Sequence, residues 1–140
     1  MKYNQALLVV KDIDKSVKFY CDVLEQKVVN DFGANKTLTG GFSLQTLNTW
    51  KEFIQKEESG ILFCNNACEL YFEEDNMDAF LQKLKSFSSI EFVHNVKEHA
   101  WGQRVVRFYD PDRHIIEVGE NINSVIMRFI SSGLTIEKTA

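Results

Sequence analysis

The chain is poor in the features that mark several large protein classes. It has one proline and 7 glycines in 140 residues, too few for a low-complexity or collagen-like chain. Its 3 cysteines, Cys21, Cys64 and Cys68, are an odd number in a chain large enough to fold without staples, which favours reduced thiols over a disulfide framework. Cys64-x3-Cys68 has the look of half a zinc site, but no second pair and no histidine at matching spacing completes it. Basic residues are the minority, 16 against 20 acidic, for a formal charge of -4 and a pI near 5.4. Neither nucleic acid nor an anionic membrane surface is therefore an expected partner. No apolar run approaches the roughly eighteen residues of a membrane span. The opening MKYNQALLVVKDID has too short an apolar segment for a signal peptide, and the expected location is the cytoplasm.

What the chain does contain is an ordinary globular composition, with 44% hydrophobic residues and 11 phenylalanines, enough for the core of one domain. Gln5 to Val10 reads as a strand. Asp12-Ile13-Asp14 reads as a turn, with Asp14 placed to cap a helix that carries Val17, Phe19, Tyr20 and Leu24 at helical spacing. Three strands are expected at about 27–32, 36–39 and 41–47, divided by Gly33 and by Gly40-Gly41. A polar connector through Lys51, Lys56, Glu57, Glu58 and Gly60 leads to a short apolar piece at 61–64, read as a strand or a helix end. The order then repeats: a strand from Cys68 to Phe72, a turn at Asp75-Asn76-Met77-Asp78, and a helix marked by Met77, Phe80, Leu81, Leu84 and Phe87. Strands at about 90–96, 103–109 and 114–118 follow. Asp110-Pro111-Asp112-Arg113, with the chain's single proline, suits a type I turn between the last two.

Sliding the first half by 64 residues places Ile13-Asp14 on Met77-Asp78 and Gln5 on Glu69; sliding by 72 places Gly41 to Gln45 on Arg113 to Glu117. The expected fold is α+β: two βαβββ modules, about 1–60 and 61–120, that form one domain over 1–120 with a cupped mixed sheet. Residues 121–140 form a C-terminal helical extension. In that tail Val125, Ile126, Phe129 and Ile130 lie at helical spacing, Gly133 suits the C′ position, and Thr135 is placed to cap a further short helix. Exposed strand edges and the apolar tail helix both ask for cover, so a homodimer is expected.

The segment FYDPDRHIIE, Phe108 to Glu117, resembles the strand, DPDGH turn and metal-bearing last strand of the vicinal oxygen chelate superfamily. That superfamily includes glyoxalase I, extradiol dioxygenases and the bleomycin and fosfomycin resistance proteins. VKDIDKSVKFYCDVLEQKV, Val10 to Val28, resembles the first module of the same family, and the resemblance runs from residue 1 to about 120. One departure is Arg113, where the family usually has glycine; a side chain there needs a negative φ or compensation for strain.

The resemblance implies a metal held by one residue from the first and last strand of each module, positions that fall here on Gln5, Gln45, Glu69 and Glu117. Two amides and two carboxylates form an oxygen-only set, suited to Mg²⁺ or Mn²⁺ better than to Zn²⁺ or Ni²⁺. The alternative is a site without metal in which Arg107 neutralises Glu69 and Glu117, because alternation sends Val106 and Phe108 to the helix side and Arg107 to the opposite one. Tyr71 shares the face of Glu69. Trp50, Trp101 and Phe42 are further aromatic residues near strand ends, Phe42 facing the helices. His94, His99 and His114 do not form a ready ligand set. His99, in the loop with Trp101 and Gly102, is the one placed to supply a proton-transfer group over the site. Two functions remain. The first is a metal-dependent lyase or isomerase like glyoxalase I, acting on a small α-hydroxycarbonyl or hemithioacetal with Glu69 and Glu117 as ligands and base. The second is a metal-free small-molecule binder of the bleomycin-resistance type.

Overall fold

A computed structural model describes residues 1–133; the cap expected at Thr135 lies outside them. The element order is β1 (Ala6–Val10), α1 (Ile13–Leu24), β2 (Val28–Asp31), β3 (Asn35–Leu38), β4 (Phe42–Thr46), α2 (Leu47–Ile54), β5 (Glu69–Glu74), α3 (Met77–Lys85), β6 (Phe92–Glu98), β7 (Arg104–Tyr109), β8 (Ile115–Glu120) and α4 (Ile122–Ser131). The fold is α+β with two four-stranded mixed sheets, ordered β1-β4-β3-β2 and β5-β8-β7-β6. Among the described residues no helix is long and apolar enough to cross a membrane.

The first compact unit comprises Met1–Asn65 and the turn Asp110–Arg113. β1 lies parallel to β4, and β4, β3 and β2 follow antiparallel. Alternation along β1 leaves Leu8 and Val10 buried while Leu7 and Val9 are only half-buried, as the two-residue period of a strand requires. Tyr20 of α1 meets Phe42 of β4 edge to face, with ring centroids 5.2 Å apart. The N-cap of α1 is Asp12, not Asp14: Asp12 has extended backbone and its carboxylate accepts from the Lys15 amide at 3.1 Å. Asp14 lies inside the first turn, where its charge suits the helix dipole. The polar connector after β4 is in part helical, since α2 follows β4 directly and a single 3-10 turn occupies Glu58–Gly60, whereas 61–64 forms neither strand nor helix.

The turn Asp110–Arg113 is held by its own acids. Asp110 accepts the Asp112 amide at 2.9 Å and the Tyr20 hydroxyl at 2.6 Å, while Asp112 accepts the Lys11 amide at 3.2 Å and the Ser16 hydroxyl at 3.4 Å. The Arg113 amide closes the turn on the Asp110 carbonyl at 2.9 Å, and Arg113 takes φ +66°. The left-handed backbone that favours glycine is thus taken up with a side chain, and the network of Asp110 and Asp112 over-determines it.

The second unit comprises Asn66–Tyr109 and His114–Ala140, described here to residue 133. β5 runs parallel to β8, and β8, β7 and β6 are antiparallel neighbours. Phe108, Ile116 and Val118 are buried, and Phe108 lies 6.3 Å from Phe80 of α3 between ring centroids. Asn76 caps α3 by accepting from the Ala79 amide.

The caps Asp12 and Asn76 keep the internal shift of 64 for the first strand and helix of each unit. The cross-strand registers then correct the second shift. Ala6 faces Phe42, while Leu70 faces Ile116, so β4 maps onto β8 with a shift of 74 rather than 72. Glu117 therefore corresponds to Ser43, and Gln45 to Gly119. A two-residue slip leaves every side chain on the same face, so the hydrophobic pattern could not detect it.

α4 docks on its own unit through a buried carboxylate. Glu120, with a side chain 3% exposed, receives Arg104 Nη2 at 2.8 Å, the Arg104 amide at 3.2 Å, Arg128 Nε at 3.1 Å and Arg128 Nη2 at 3.0 Å. Burial alone would raise the Glu120 carboxyl, but the hydrogen bonds from Arg104 and Arg128 outweigh it and hold it down at about 2. A depressed carboxyl stabilises the fold above the ordinary carboxylate range, and that contribution is lost as pH falls through about 2. Glu120→Gln is expected to lower the unfolding free energy at pH 7 by about 2 kcal/mol or more, since two arginines lose their charged partner. The difference from wild type should shrink between pH 4 and pH 2 in urea titrations; a difference independent of pH would count against this assignment.

Candidate functional site

The polar face of the second sheet gathers the residues singled out in the second module. Register places Arg107 of β7 directly across from Glu117 of β8, and Tyr71 of β5 on the other side of Glu117. Arg107 Nη2 donates to Glu117 Oε2 at 2.8 Å and Arg107 Nε to Glu69 Oε2 at 2.9 Å. The third guanidinium nitrogen, Nη1, lies 3.3 Å from His94 Nε2. Because a guanidinium only donates, His94 Nε2 accepts, and its Nδ1, 2.7 Å from the Asn95 carbonyl, carries the proton.

Two carboxylates and one guanidinium leave an excess negative charge in a partly buried place, and one shared proton removes it. Burial and the interaction with Glu69 push the Glu117 carboxyl up to about 7, against the opposing pull of Arg107. The hydrogen bond from Arg107 holds Glu69 below the ordinary range. Glu117 is thus the carboxyl of the pair that takes up a proton first as pH falls, while Arg107 holds Glu69, the more exposed of the two, toward its charged form.

Tyr71 extends this face. Its ring lies over Gly119, where a Cβ would come within 2.9 Å of the Tyr71 hydroxyl. Gln103 Nε2 donates to that hydroxyl at 3.1 Å and to the Glu120 carbonyl at 3.0 Å, and Gln103 Oε1 accepts from Trp101 Nε1 at 3.2 Å. Trp101 stacks on His99 with ring centroids 4.2 Å apart and planes 15° apart. His99 is thus engaged with Trp101 in the loop before β7.

The two glutamines belong to the first unit. Gln45 is 2% exposed; its Oε1 accepts from Asn35 at 2.8 Å and its Nε2 donates to Thr49 at 2.6 Å. Gln5 precedes β1 and is exposed. Phe42 faces α1, and Trp50 sits in α2. The residues present do not fit a divalent cation as they stand: Arg107 engages an oxygen of both Glu69 and Glu117, and Asn35 engages the amide oxygen of Gln45. Among the described residues no group of three or more His, Cys, Asp and Glu is arranged to hold a metal ion.

Sequence reasoning missed His94 as a partner of Arg107. Phe92 faces Phe108, yet His94 faces Arg107, because a register shift intervenes. Without that bulge, Val93 would stand opposite Arg107.

A carboxyl raised on folding stabilises the folded state below the ordinary carboxylate range, and that contribution is lost as pH rises through about 7. Glu117→Gln retains an acceptor for Arg107 and an amide donor for Glu69. It is expected to flatten the decline in melting temperature between pH 5 and pH 8 and to melt above wild type at pH 8. Parallel profiles for the two proteins would overturn the shared-proton assignment.

A family model described as a glyoxalase-like domain matches residues 3–123. No curated protein matches the chain. Among solved structures, a protein of unknown function from Agrobacterium tumefaciens str. C58 is similar at 36% identity over 86% of this chain and 94% of that one, with a TM-score of 0.75. A glyoxalase/bleomycin resistance protein/dioxygenase family enzyme from Burkholderia phytofirmans PsJN shares the fold at 14% identity, covering 84% of this chain and 96% of that one, with a TM-score of 0.71. A glyoxalase-related enzyme from Fulvimarina pelagi does so at 17% identity, 86% and 88% coverage and a TM-score of 0.69. With two four-stranded modules and a family match over most of its length, the chain belongs to the glyoxalase-like domain family of the vicinal oxygen chelate superfamily.

Proposed function

We propose that the chain is a metal-free member of its family that binds a small molecule, with Arg107 as the cationic centre of the site. The observation that carries this reading is the Arg107 fork, which donates to Glu69 and Glu117 at 2.9 and 2.8 Å. A guanidinium has five N–H donors, so this one keeps N–H groups for a carbonyl or carboxylate oxygen after meeting its protein partners. Tyr71, 48% exposed, adds an apolar surface with a polar tip beside it.

A second reading is supported by Glu117. A carboxyl raised to about 7 is poised to give or take a proton near neutral pH, so an enzyme that moves a proton α to a carbonyl without metal is also compatible with this face. In that case Arg107 stabilises the developing oxyanion and Glu117 exchanges the proton.

Two measurements on the purified protein test these readings. Calorimetric titration with Mn²⁺, Mg²⁺, Zn²⁺ and Ni²⁺ is expected to give no heat of binding at millimolar metal. Isomerisation of a methylglyoxal hemithioacetal, and deuterium exchange from solvent into small α-hydroxycarbonyl compounds, are expected to proceed at the background rate. Metal-dependent turnover that Glu117→Gln lowers by about 10²-fold or more would establish the metal lyase instead. Turnover without metal, lost in the same variant, would favour the second reading.

A further inference from the structure

The loop His99–Gln103 is held from two sides within the second unit. Its own backbone closes through the Gly102 amide on the His99 carbonyl and the His99 amide on the Gln103 carbonyl, both at 2.8 Å. On the side of α4, Arg128 Nη2 donates to the Gly102 carbonyl at 2.6 Å while the same guanidinium is anchored by Glu120. Gly102 has φ +90°, and a Cβ there would run into the Phe129 ring and approach Val125 to 3.3 Å. Arg128 itself lies over the Phe129 ring at 4.9 Å. On the other side, Gln103 ties the loop to Tyr71 and Trp101.

The consequence is an exposed tryptophan in a fixed place. Trp101 is 60% exposed, yet its indole is stacked on His99 and hydrogen-bonded to Gln103. Large aromatic side chains presented rigidly to solvent add contact area to a binding surface with little ordering entropy left to lose. Gln103 joins this ring to the hydroxyl of Tyr71, and Tyr71 stands next to Glu117 in the ladder.

We infer that α4 is a positioning element for the ligand face: Arg128, fixed by Glu120, holds the backbone of His99–Gln103 and so sets Trp101 and Gln103 against Tyr71. The ligand part of this inference rests on the reading of the Arg107 face as a binding site. Arg128 and Phe129 are positioning residues, since they act through the loop.

The test compares wild type with Arg128→Lys, Arg128→Met and Gly102→Ala. Lysine keeps a charge for Glu120 but ends about one bond short of Nη2, the nitrogen that serves both Glu120 and the Gly102 carbonyl, so its reach to that carbonyl is lost; Gly102→Ala disturbs the contact from the loop side and leaves Arg128 intact. Hydrogen exchange needs no ligand: amides 99–103 are expected to exchange at least about tenfold faster in all three variants, with Val105 to Phe108 unchanged. Arg128→Lys should retain most of the wild-type melting temperature, which a role in stability alone does not predict alongside a loosened loop. The binding probe is 8-anilinonaphthalene-1-sulfonate, an aromatic anion, followed by fluorescence with Trp50→Phe as background and Arg107→Met as control. Weakening of the probe several-fold by Arg128→Lys and by Gly102→Ala, together with loss in Arg107→Met, is the expected result. Unchanged exchange at 99–103 overturns the positioning role. Faster exchange with unaltered probe affinity, while Arg107→Met still abolishes binding, also overturns it and leaves the ligand face standing. Probe affinity unaltered by Arg107→Met shows instead that the ligand face was misread.

Discussion

Burying carboxylates on a central strand is the constraint around which the second unit is organised. β8 carries Glu117 on one face and Glu120 on the other, and both are buried. An unpaired charge in such a place would be very costly, so each needs a cation delivered by geometry rather than by chance encounter. β7 delivers both. Arg107 and Arg104 lie three residues apart, as Glu117 and Glu120 do, and the antiparallel ladder sets Arg107 against Glu117 while Arg104 reaches Glu120. A slip of this register by one residue would bury a guanidinium in the apolar layer and expose Val106 and Phe108. The ion pairs thus specify the pairing of β7 with β8 as well as neutralising it.

The two carboxylates end in different states because their surroundings differ. Glu120 has two arginines and a backbone amide and stays ionised. Glu117 shares one arginine with Glu69, and burial together with Glu69 pushes its carboxyl up, so protonation there relieves the excess charge of the cluster. The first network is structural, fastening α4 to the sheet. The second places a raised carboxyl, a guanidinium that bridges two carboxylates and a half-exposed tyrosine on one face of the sheet.

Much of this was readable along the chain. The period of two in β1, β7 and β8 identified the helix-facing residues and put Arg107 with Glu69 and Glu117, because face parity follows directly from the pleat. Helices α1 and α3 were marked by their apolar spacing. α2 was not, since the lysines and glutamates that follow it mask a short stripe of Leu47, Trp50 and Ile54. Asp12 displaced Asp14 as cap because both suit the position and only the backbone angle at Asp12 distinguishes them. The slip between shifts of 72 and 74 was hidden by the same parity that made the faces legible. His94 was hidden by a bulge, which no alternation rule anticipates.

Composition, periodicity and turn chemistry determined by themselves that this chain makes two βαβββ units of an α+β fold, which residues face the helices, and that Glu117 must find a partner. These are local properties, set by residues a few positions apart and by the cost of exposing or burying each side chain. Tertiary structure alone decided that Arg107 serves Glu69, Glu117 and His94 at once, that burial pushes the Glu117 carboxyl up while Arg107 holds Glu69 down, and that Arg128 reaches from α4 to the carbonyl of Gly102. Each of these depends on distances across strands and between a helix and a loop, and electrostatic and hydrogen-bond energies change steeply over the few ångströms that sequence spacing leaves undefined.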